Sequence, residues 1–243
     1  MQKENKIEFS VSGKYALFTD PLTKIGGEKC SYHIPTYEAL KGIISSVYWK
    51  PTIVWVIDKA RVIKRIRTQT RSAKPVEYSG GNSLAIYTYL ADVEYQVQAH
   101  FEWNLHRPDL EIDRNENKHF FVARRMVEKG GRRDVFLGSR ECQGYVEPCK
   151  FGEGVGEYDK CGELAFGLMF HGFDYPDESG KSELWSRFWR PRMDDGVINF
   201  VHPKECEDQL RKFVRPMEAQ KIETIGLKED GLLNGYREAE AKQ

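Results

Sequence analysis

The sequence predicts an α+β fold, and the order of its apolar patterns carries this prediction. Up to about residue 150, strand-like and helix-like segments follow one another as strand, helix, strand, hairpin, strand, helix, strand. Without the hairpin this is βαββαβ, the ferredoxin-like layout. Beyond residue 151 the chain is rich in glycine and carries short strand-like segments.

We therefore expect three regions. Residues 1–150 should form a ferredoxin-like domain with a basic β-hairpin inserted at about residues 60–95. Residues 151–203 should form a small antiparallel β domain. The last segment, residues 204–243, has weak helical periodicity and few apolar side chains, which predicts a peripheral helix and a flexible tail.

The first strand and the first helix follow from their apolar spacing. Residues 7–11 alternate between apolar and polar side chains, which is typical of a strand with one buried face. Farther along, apolar side chains recur on one helix face: Leu40, Ile43, Ile44 and Val47. This helix should begin near Pro35, which suits the first helical turn. It should end near Tyr48, because Pro51 keeps Lys50 out of the helical conformation.

A basic segment follows the second strand. Residues 52–57 are rich in β-branched side chains and indicate a buried strand. Between Lys59 and Pro75 seven side chains are basic and none is acidic. A turn signal at residues 80–82, followed by strand-like residues, favours a protruding hairpin with the basic run on one side. The alternative is an edge strand that charge keeps solvated.

The second helix is marked by signals at both of its ends. Asp113 or Asn115 can cap its start, and the pair Gly130 and Gly131 can end it after about Lys129. A strand, a glycine-containing loop and another strand follow over residues 132–146. Antiparallel strands are expected at residues 164–175 and 184–200.

Composition excludes several classes of protein. Hydrophobic residues make up 40% of the chain, which is too much for a disordered protein. Its longest apolar run, about seven residues, is far short of the ~20 that span a membrane. We expect no signal peptide, because no apolar stretch follows the charged N-terminus. Five cysteines without a CxxC pair indicate a reduced, cytoplasmic protein. A zinc site at Cys142, Cys149 and Cys161 is a minor alternative, since the spacing fits no zinc pattern.

The formal net charge is zero, but the charge is unevenly distributed. Residues 1–139 hold 22 basic and 16 acidic side chains, a net charge of +6, and the remaining residues hold 15 and 21, a net charge of −6. Such asymmetry indicates a polyanionic partner for the first half. Ordinary variation of surface charge explains it equally well.

Lys118 and His119 stand at the predicted start of the second helix. Free N–H groups and the helix dipole favour anions there, so Lys118 could neutralise a phosphate while His119 moves a proton. In the competing interpretation, His119 is a buried structural histidine on the core face of the helix. Tyr48 could join this pair, because both helices of a ferredoxin-like fold pack on one face of the sheet. Alternatively, Tyr48 only caps the first helix.

Longer motifs resemble one known family. They are FTDPLTKIGGEK at residues 18–29, YWKPT at 48–52, NLHRPDL at 104–110, the segment 130–146, and HGF at 171–173. Together they resemble the CRISPR-associated repeat-processing proteins of subtype I-C, the Cas-five-d (Dvulg) family. The similarity runs from about residue 7 to about residue 200.

The resemblance implies a RAMP-type endoribonuclease that cuts CRISPR precursor RNA within each repeat. It then holds the 5′ handle of the product as a subunit of the Cascade complex. The implied catalytic residues are Tyr48, Lys118 and His119. Cleavage would be metal-independent, with the 2′-OH attacking the phosphorus to leave a 2′,3′-cyclic phosphate and a 5′-OH. We expect no metal and no cofactor.

The expected partners are the stem-loop of the repeat RNA and the backbone and large subunits of Cascade, with no membrane. RNA contacts are expected from the following residues: Lys50, Arg61, Lys64, Arg65, Arg67, Arg132, Arg133, Gly138 and Arg140. A non-catalytic Cascade subunit that only holds the 5′ handle is the alternative function. A general RNA-recognition module is disfavoured, because the aromatic RNP pattern is absent from the sequence.

Overall fold

The computed structural model describes residues 5–19, 28–75, 78–81 and 83–219. The turn predicted at residues 80–82 lies partly outside these ranges, and the predicted tail lies outside them from residue 220 onward. Within these ranges the protein has a mixed α/β fold with antiparallel sheets, which confirms the predicted class at that level.

The elements follow one another in a strand-rich order. The strands are β1 (Lys6–Ala16), β2 (Ile53–Val62), β3 (Thr68–Ala73), β4 (Ala85–Trp103), β5 (Val135–Phe136), β6 (Gln143–Pro148), β7 (Glu163–Ala165), β8 (Met169–Asp174), β9 (Glu183–Trp189), β10 (Arg192–Asp194), β11 (Val197–Asn199) and β12 (Arg211–Pro216). The helices are α1 (Tyr37–Val47), α2 (Glu116–Glu128) and the four-residue α3 (Pro176–Ser179). Short 3-10 helices lie at Pro108–Asp113, Pro203–Glu205 and Asp208–Leu210.

Two antiparallel sheets organise these strands. The larger sheet has the order β5-β6-β1-β4-β2-β11-β10-β7, and β3 pairs with the free part of β4. The smaller sheet has the order β12-β9-β8. Residues 163–199 supply strands to both sheets. Strand β11 pairs with the last residues of β2, so that β11, β10 and β7 extend the larger sheet, while β8 and β9 pair with each other in the smaller sheet.

Strand β4 is longer than the sequence indicates. The strand-like segments at residues 85–89 and 95–103 belong to one strand of 19 residues. It pairs with β3 through one half and with β1 and β2 through the other. The polar residues between the two segments interrupt the sequence pattern, and Asp92 even has a positive φ of 53°. The paired neighbours keep the strand continuous through that point.

Helix α1 buries the apolar stripe that the sequence predicts. Leu40, Ile43, Ile44 and Val47 are all buried. The helix starts at Tyr37 rather than at Pro35, because Thr36 caps it by accepting a hydrogen bond from the N–H of Ala39.

Helix α2 begins where a side-chain cap is available. The Oδ1 atom of Asn115 accepts a hydrogen bond of 3.1 Å from the N–H of Lys118. The buried face carries His119, Ala123 and Val127. Gly130 and Gly131 follow its last turn with φ values of 77° and 110°, the left-handed conformation in which glycine ends helices.

The described part of the C-terminal segment, up to residue 219, forms two short 3-10 helices and β12. Strand β12 pairs with β9 and so belongs to the smaller sheet. Among the described residues, no helix has both the length and the apolar character that crossing a membrane requires.

Gly138 closes the loop between β5 and β6 onto the end of β1. Its φ is 91°, and a Cβ atom at this position would overlap the carbonyl group of Leu17. The N–H of Leu17 in turn donates to the carbonyl oxygen of Leu137 at 2.9 Å. Glycine is therefore required here both for its backbone conformation and for the close approach of two chain segments.

We predict that Gly138→Ala destabilises the protein more than Gly152→Ala does. Gly152 also has a positive φ, 87°, but nothing lies within 4 Å of the place that an added Cβ atom would take, so that variant carries only left-handed strain of about 1–2 kcal/mol. Gly138→Ala adds an overlap with backbone, worth about 1–3 kcal/mol more. Urea unfolding measures both, and equal losses of stability would contradict the tight approach at Gly138.

Candidate active site

The end of α1 meets the start of α2, as the predicted layout requires for Tyr48 and His119 to converge. The hydroxyl oxygen of Tyr48 lies 2.8 Å from Nδ1 of His119. The two residues are 71 positions apart in the chain, and both are buried. This hydrogen bond joins the two helices through groups that can carry a proton.

The backbone holds Tyr48 firmly. Its N–H donates to the carbonyl oxygen of Ile44 at 2.9 Å, and its own carbonyl oxygen accepts from Nε1 of Trp55 at 2.7 Å. Burial, helped by the negative charge of Asp113, raises the pKa of Tyr48 to about 12. The phenol is therefore a neutral hydrogen-bond donor at neutral pH.

His119 is fully buried, with both ring nitrogens engaged. Its Nε2 lies 2.8 Å from the carbonyl oxygen of Asp113. A carbonyl oxygen only accepts, so Nε2 carries a proton, and in the neutral ring Nδ1 accepts from the hydroxyl of Tyr48. The rings of Phe101 and Trp103 flank the imidazole, with centroids 6.0 and 5.6 Å away. The competing expectation of burial on the core face is thus correct for the location of His119.

Lys118 lies beside this pair on the solvent side, with about half of its side chain exposed. Its ammonium group forms an ion pair with Oδ1 of Asp113, while Oδ2 accepts 2.8 Å from the hydroxyl of Thr52. Burial works to raise the pKa of Asp113, but the hydrogen bonds from Lys118 and Thr52 outweigh it and hold that pKa below its usual range. A charged carboxylate therefore connects Lys118, His119 and Thr52.

Asp113 is the residue that sequence reasoning missed as part of this site. The sequence marked it only as a possible helix cap, a role that Asn115 takes. It ends the 3-10 helix Pro108–Asp113, which brings it back over His119. No spacing rule for helices indicates that geometry.

Three of the predicted RNA-binding residues lie near Tyr48. Lys50 is exposed two residues farther along the chain. The backbone N–H groups of Arg132 and Arg133 bond to the last turn of α1, and both side chains are exposed. Together with Trp49, the two arginines line a surface depression of about 230 Å³.

Three other predicted RNA-binding residues lie at the opposite end of β2. Lys64, Arg65 and Arg67 follow its last residue, and at about 3.3 Å per residue the ten residues of β2 separate them from Tyr48 by about 30 Å. Lys64 and Arg67 also form ion pairs with Asp92, at 2.8 and 3.1 Å. Their positive charge is therefore partly neutralised.

Gly138 and Arg140 also lie far from the pair of Tyr48 and His119. Their loop bonds to Leu17, just beyond the end of β1, and Ala16 is paired with Leu90 on β4. Phe101, which contacts His119, lies 11 residues farther along β4, toward the opposite end of that strand. The basic residues are therefore divided between two ends of the large sheet.

Arg61 is placed differently from all of these. It is only 5% exposed, and its Nη2 lies 2.8 Å from both carboxylate oxygens of Asp159. Its Nη1 donates to Gln96 at 3.3 Å. The guanidinium group is already paired inside the protein, because the segment before β7, which carries Asp159, lies against the end of β2.

The cysteines are dispersed. Cys142 and Cys206 are buried, whereas Cys30 and Cys161 are exposed. Within the described ranges, no three His, Cys, Asp or Glu side chains are grouped closely enough to hold a metal ion.

Known proteins with similar sequences have consistent names. A protein of Mannheimia succiniciproducens named CRISPR pre-crRNA endoribonuclease Cas5d is 29% identical over 237 residues, covering 85% of this chain and 99% of the relative. A Thermus thermophilus protein of the same name is 25% identical over 241 residues, covering 95% of this chain and 99% of the relative.

Structural and family comparisons agree with these names. A solved structure described as a CRISPR-associated protein superimposes with a TM-score of 0.70 at 36% identity, over 83% of this chain and 94% of the other. The family profile Cas_Cas5d, CRISPR-associated protein (Cas_Cas5), matches residues 6–201. The match covers far more than half of the chain, and the chain therefore belongs to the Cas_Cas5d family of CRISPR-associated proteins.

Proposed function

We propose that this protein is a CRISPR pre-crRNA endoribonuclease that cuts within the repeat without a metal ion. The observation that carries the proposal is the hydrogen bond of 2.8 Å between Tyr48 and His119, with Lys118 beside it. The names of the two relatives support the same activity.

The proposal includes a RAMP-type organisation. A ferredoxin-like domain over residues 1–150 is supported by the order β6-β1-β4-β2 of the central strands, with α1 and α2 as the two helices. The pairing of β3 with β4 supports a basic hairpin inserted into that domain. Residues 151–203 are then an appended antiparallel β region, followed by the C-terminal segment 204–243.

The tautomer of His119 sets the path of the proton. Because Nε2 donates to Asp113, the free lone pair of the ring is on Nδ1, which faces the hydroxyl of Tyr48. As the 2′-OH attacks phosphorus, its proton passes to the oxygen of Tyr48, and the phenolic proton passes to Nδ1. The imidazolium then returns a proton through Tyr48 to the leaving 5′-oxygen. The products are a 2′,3′-cyclic phosphate and a 5′-OH.

Lys118 supplies the positive charge for the phosphate. Its ammonium group is half exposed at the N-terminal turn of α2, where helix N–H groups also favour anions. In the structure its partner is the carboxylate of Asp113. A bound phosphate takes over this ion pair, and Lys118 then stabilises the charge that develops on the non-bridging oxygens.

RNA binding is assigned first to the basic residues near the site, Lys50, Arg132 and Arg133. The distant residues Lys64, Arg65, Arg67, Gly138 and Arg140 would contact a stem that extends along the sheet, since A-form RNA is read by its shape and phosphates. Arg61 has a structural role in this proposal, because its guanidinium group is paired with Asp159. The protein then keeps the 5′ handle and joins the Cascade backbone and large subunits in the cytoplasm.

A subunit that only holds the 5′ handle is the alternative function. It would need basic residues but no proton relay. The buried pair of Tyr48 and His119 favours catalysis, because neither side chain is available to hold RNA by charge alone.

We predict that Tyr48 and His119 act as one unit. His119→Ala should slow single-turnover cleavage of repeat RNA by at least about 100-fold, the usual range for loss of acid–base catalysis. Tyr48→Phe should also slow it strongly, because the relay is broken. The double variant should be no slower than the worse single variant. Additive effects, or an His119→Ala rate within tenfold of wild type, would contradict the relay.

Tyr37→Phe is the matched control for this comparison of single and double variants. Tyr37 is a second buried tyrosine, at the other end of α1, and its hydroxyl lies 3.5 Å from the backbone oxygen of Trp55. The variant should cleave at the wild-type rate. Thermal unfolding of every variant separates a loss of catalysis from a loss of folded protein.

We predict cleavage in excess EDTA and no cleavage of RNA with a 2′-deoxy sugar at the scissile bond. The 2′-OH is the nucleophile in this mechanism, so its removal leaves nothing to attack. Mapping of the product ends should show a 2′,3′-cyclic phosphate and a 5′-OH. A requirement for Mg²⁺ would refute the mechanism. Tight binding of intact repeat RNA without any cleavage would instead assign the alternative, non-catalytic function.

We predict that Arg132→Ala lowers the salt dependence of RNA binding. The slope of log K against log salt should fall by about one unit for each phosphate contact removed. Arg192→Ala is the control, because this exposed arginine pairs with Glu163 at the far edge of the sheet. Filter binding over a range of salt concentrations measures both slopes. Equal slopes for wild type and Arg132→Ala would remove Arg132 from the RNA contacts.

A further inference from the structure

The carboxylate of Asp113 lies between two residues of the candidate active site and has no role in the proton transfer described above. Its Oδ1 forms the ion pair with Lys118. Its Oδ2 lies 3.5 Å from Nε2 of His119 and accepts 2.8 Å from the hydroxyl of Thr52. One carboxylate therefore faces both the residue proposed to hold the phosphate and the residue proposed to carry the proton.

Main-chain contacts fix the position of Asp113. Its carbonyl oxygen accepts from Nε2 of His119 and from the N–H of Asn115, both at 2.8 Å. Thr52, which directly precedes β2 and is 1% exposed, donates to the carboxylate. The main-chain contact sets the tautomer of His119, and a change of the Asp113 side chain leaves that contact in place. The charge of the carboxylate can therefore be tested separately from the orientation of the ring.

The proposed reaction places a positive charge on a buried ring. In the structure, Lys118 and Asp113 neutralise each other. When the phosphate takes Lys118 and a proton reaches Nδ1 of His119, the imidazole becomes a cation with a proton on each nitrogen. His119 is 0% exposed, and the flanking rings of Phe101 and Trp103 carry no charge. A buried cation is costly unless a negative charge is paired with it.

Asp113 is placed to supply that negative charge. Although burial opposes ionisation, the hydrogen bonds from Lys118 and Thr52 hold the pKa of Asp113 below its usual range, so the carboxylate is charged at neutral pH. Among the residues that the structure describes, no other carboxylate forms an ion pair with the ring of His119. The departure of Lys118 to the phosphate thus leaves an unpaired carboxylate beside the ring that becomes positive.

We propose that Asp113 is a positioning residue whose carboxylate changes partners, from Lys118 before RNA binds to the imidazolium of His119 during cleavage. The inference rests on the proposed function and adds a charge-balancing group to it. Asp113 acts through Lys118 and His119 and does not itself touch the reacting atoms. Its carboxylate opposes RNA binding, because it competes for Lys118, and it favours proton transfer. These two effects have opposite signs.

The test measures binding and cleavage separately for the full-length wild type and Asp113→Asn. Dissociation constants are measured with repeat RNA that has a 2′-deoxy sugar at the scissile bond, and single-turnover rates with cleavable RNA at saturating protein. Asp113→Asn should bind about 1.5- to 5-fold more tightly, the strength of a partly exposed ion pair. Its cleavage rate should fall by at least about tenfold, because an opposite charge within about 4–6 Å favours an ionised group by that factor or more.

Glu111→Gln is the matched control. Glu111 lies in the same 3-10 helix as Asp113, its side chain is 78% exposed, and it pairs with Arg114. The variant removes one negative charge two residues from Asp113 and should cleave at the wild-type rate. In a Lys118→Ala background, Asp113→Asn should no longer tighten binding, because the competition for Lys118 is already absent.

Thr52→Val tests the same carboxylate without removing its charge. Valine keeps the shape of threonine but cannot donate to Oδ2, so the carboxylate is held less firmly toward His119. The cleavage rate should fall by about 2- to 10-fold, the net contribution of one hydrogen bond, while the affinity for RNA stays within twofold of wild type. Thermal unfolding accompanies each variant. A loss of folded protein lowers binding and cleavage together, and it cannot produce tighter binding with slower cleavage.

The proposal is overturned if Asp113→Asn cleaves at the wild-type rate or faster. It is also overturned if the affinity and the rate of Asp113→Asn fall together, since Asp113 would then only support the fold. A Glu111→Gln variant that is equally slow would assign the effect to net charge and would overturn it as well. Failure of the proposed function is a separate result, because the wild type itself then leaves the repeat RNA uncut.

Discussion

The hydrogen bond between Tyr48 and His119 is the interaction on which the site depends, and much of the fold serves to position it. It requires α1 to stop at Val47 and α2 to start at Glu116, so that one residue beyond the first helix meets the first turn of the second. Trp55 on β2 fixes the backbone of Tyr48, and Phe101 and Trp103 on β4 flank the imidazole. The central strands thus hold the two residues of the proposed relay in place.

Burial gives this pair its chemical character. Raising the pKa of Tyr48 to about 12 keeps the phenol protonated, which makes it a donor to His119 rather than a competing base. In the structure, Asp113 is the partner of both His119 and Lys118. In the proposed mechanism the substrate phosphate competes with the carboxylate of Asp113 for Lys118, so RNA binding would be linked to a rearrangement at Asp113.

Local sequence patterns predicted the helices and strands, whereas contacts between residues distant in the chain determined how they are arranged. The stripe of α1, the cap at Asn115 and the strand at residues 7–11 could be predicted because each depends on neighbours in the chain. The approach of Tyr48 to His119 could be predicted only through the layout of the two helices. The burial of Arg61 could not, because Asp159 lies 98 residues away. The same holds for the pairing of β11 with β2, which joins β7, β10 and β11 to the larger sheet.

In the proposed function, the distribution of charge accounts for affinity for RNA but not for the selection of one RNA. Basic side chains lie at two ends of the large sheet about 30 Å apart, and as proposed RNA contacts they would attract any RNA backbone regardless of its sequence. Phosphate contacts of this kind position a nucleic acid without identifying it. Selection of one phosphate within the repeat therefore needs contacts other than these basic side chains.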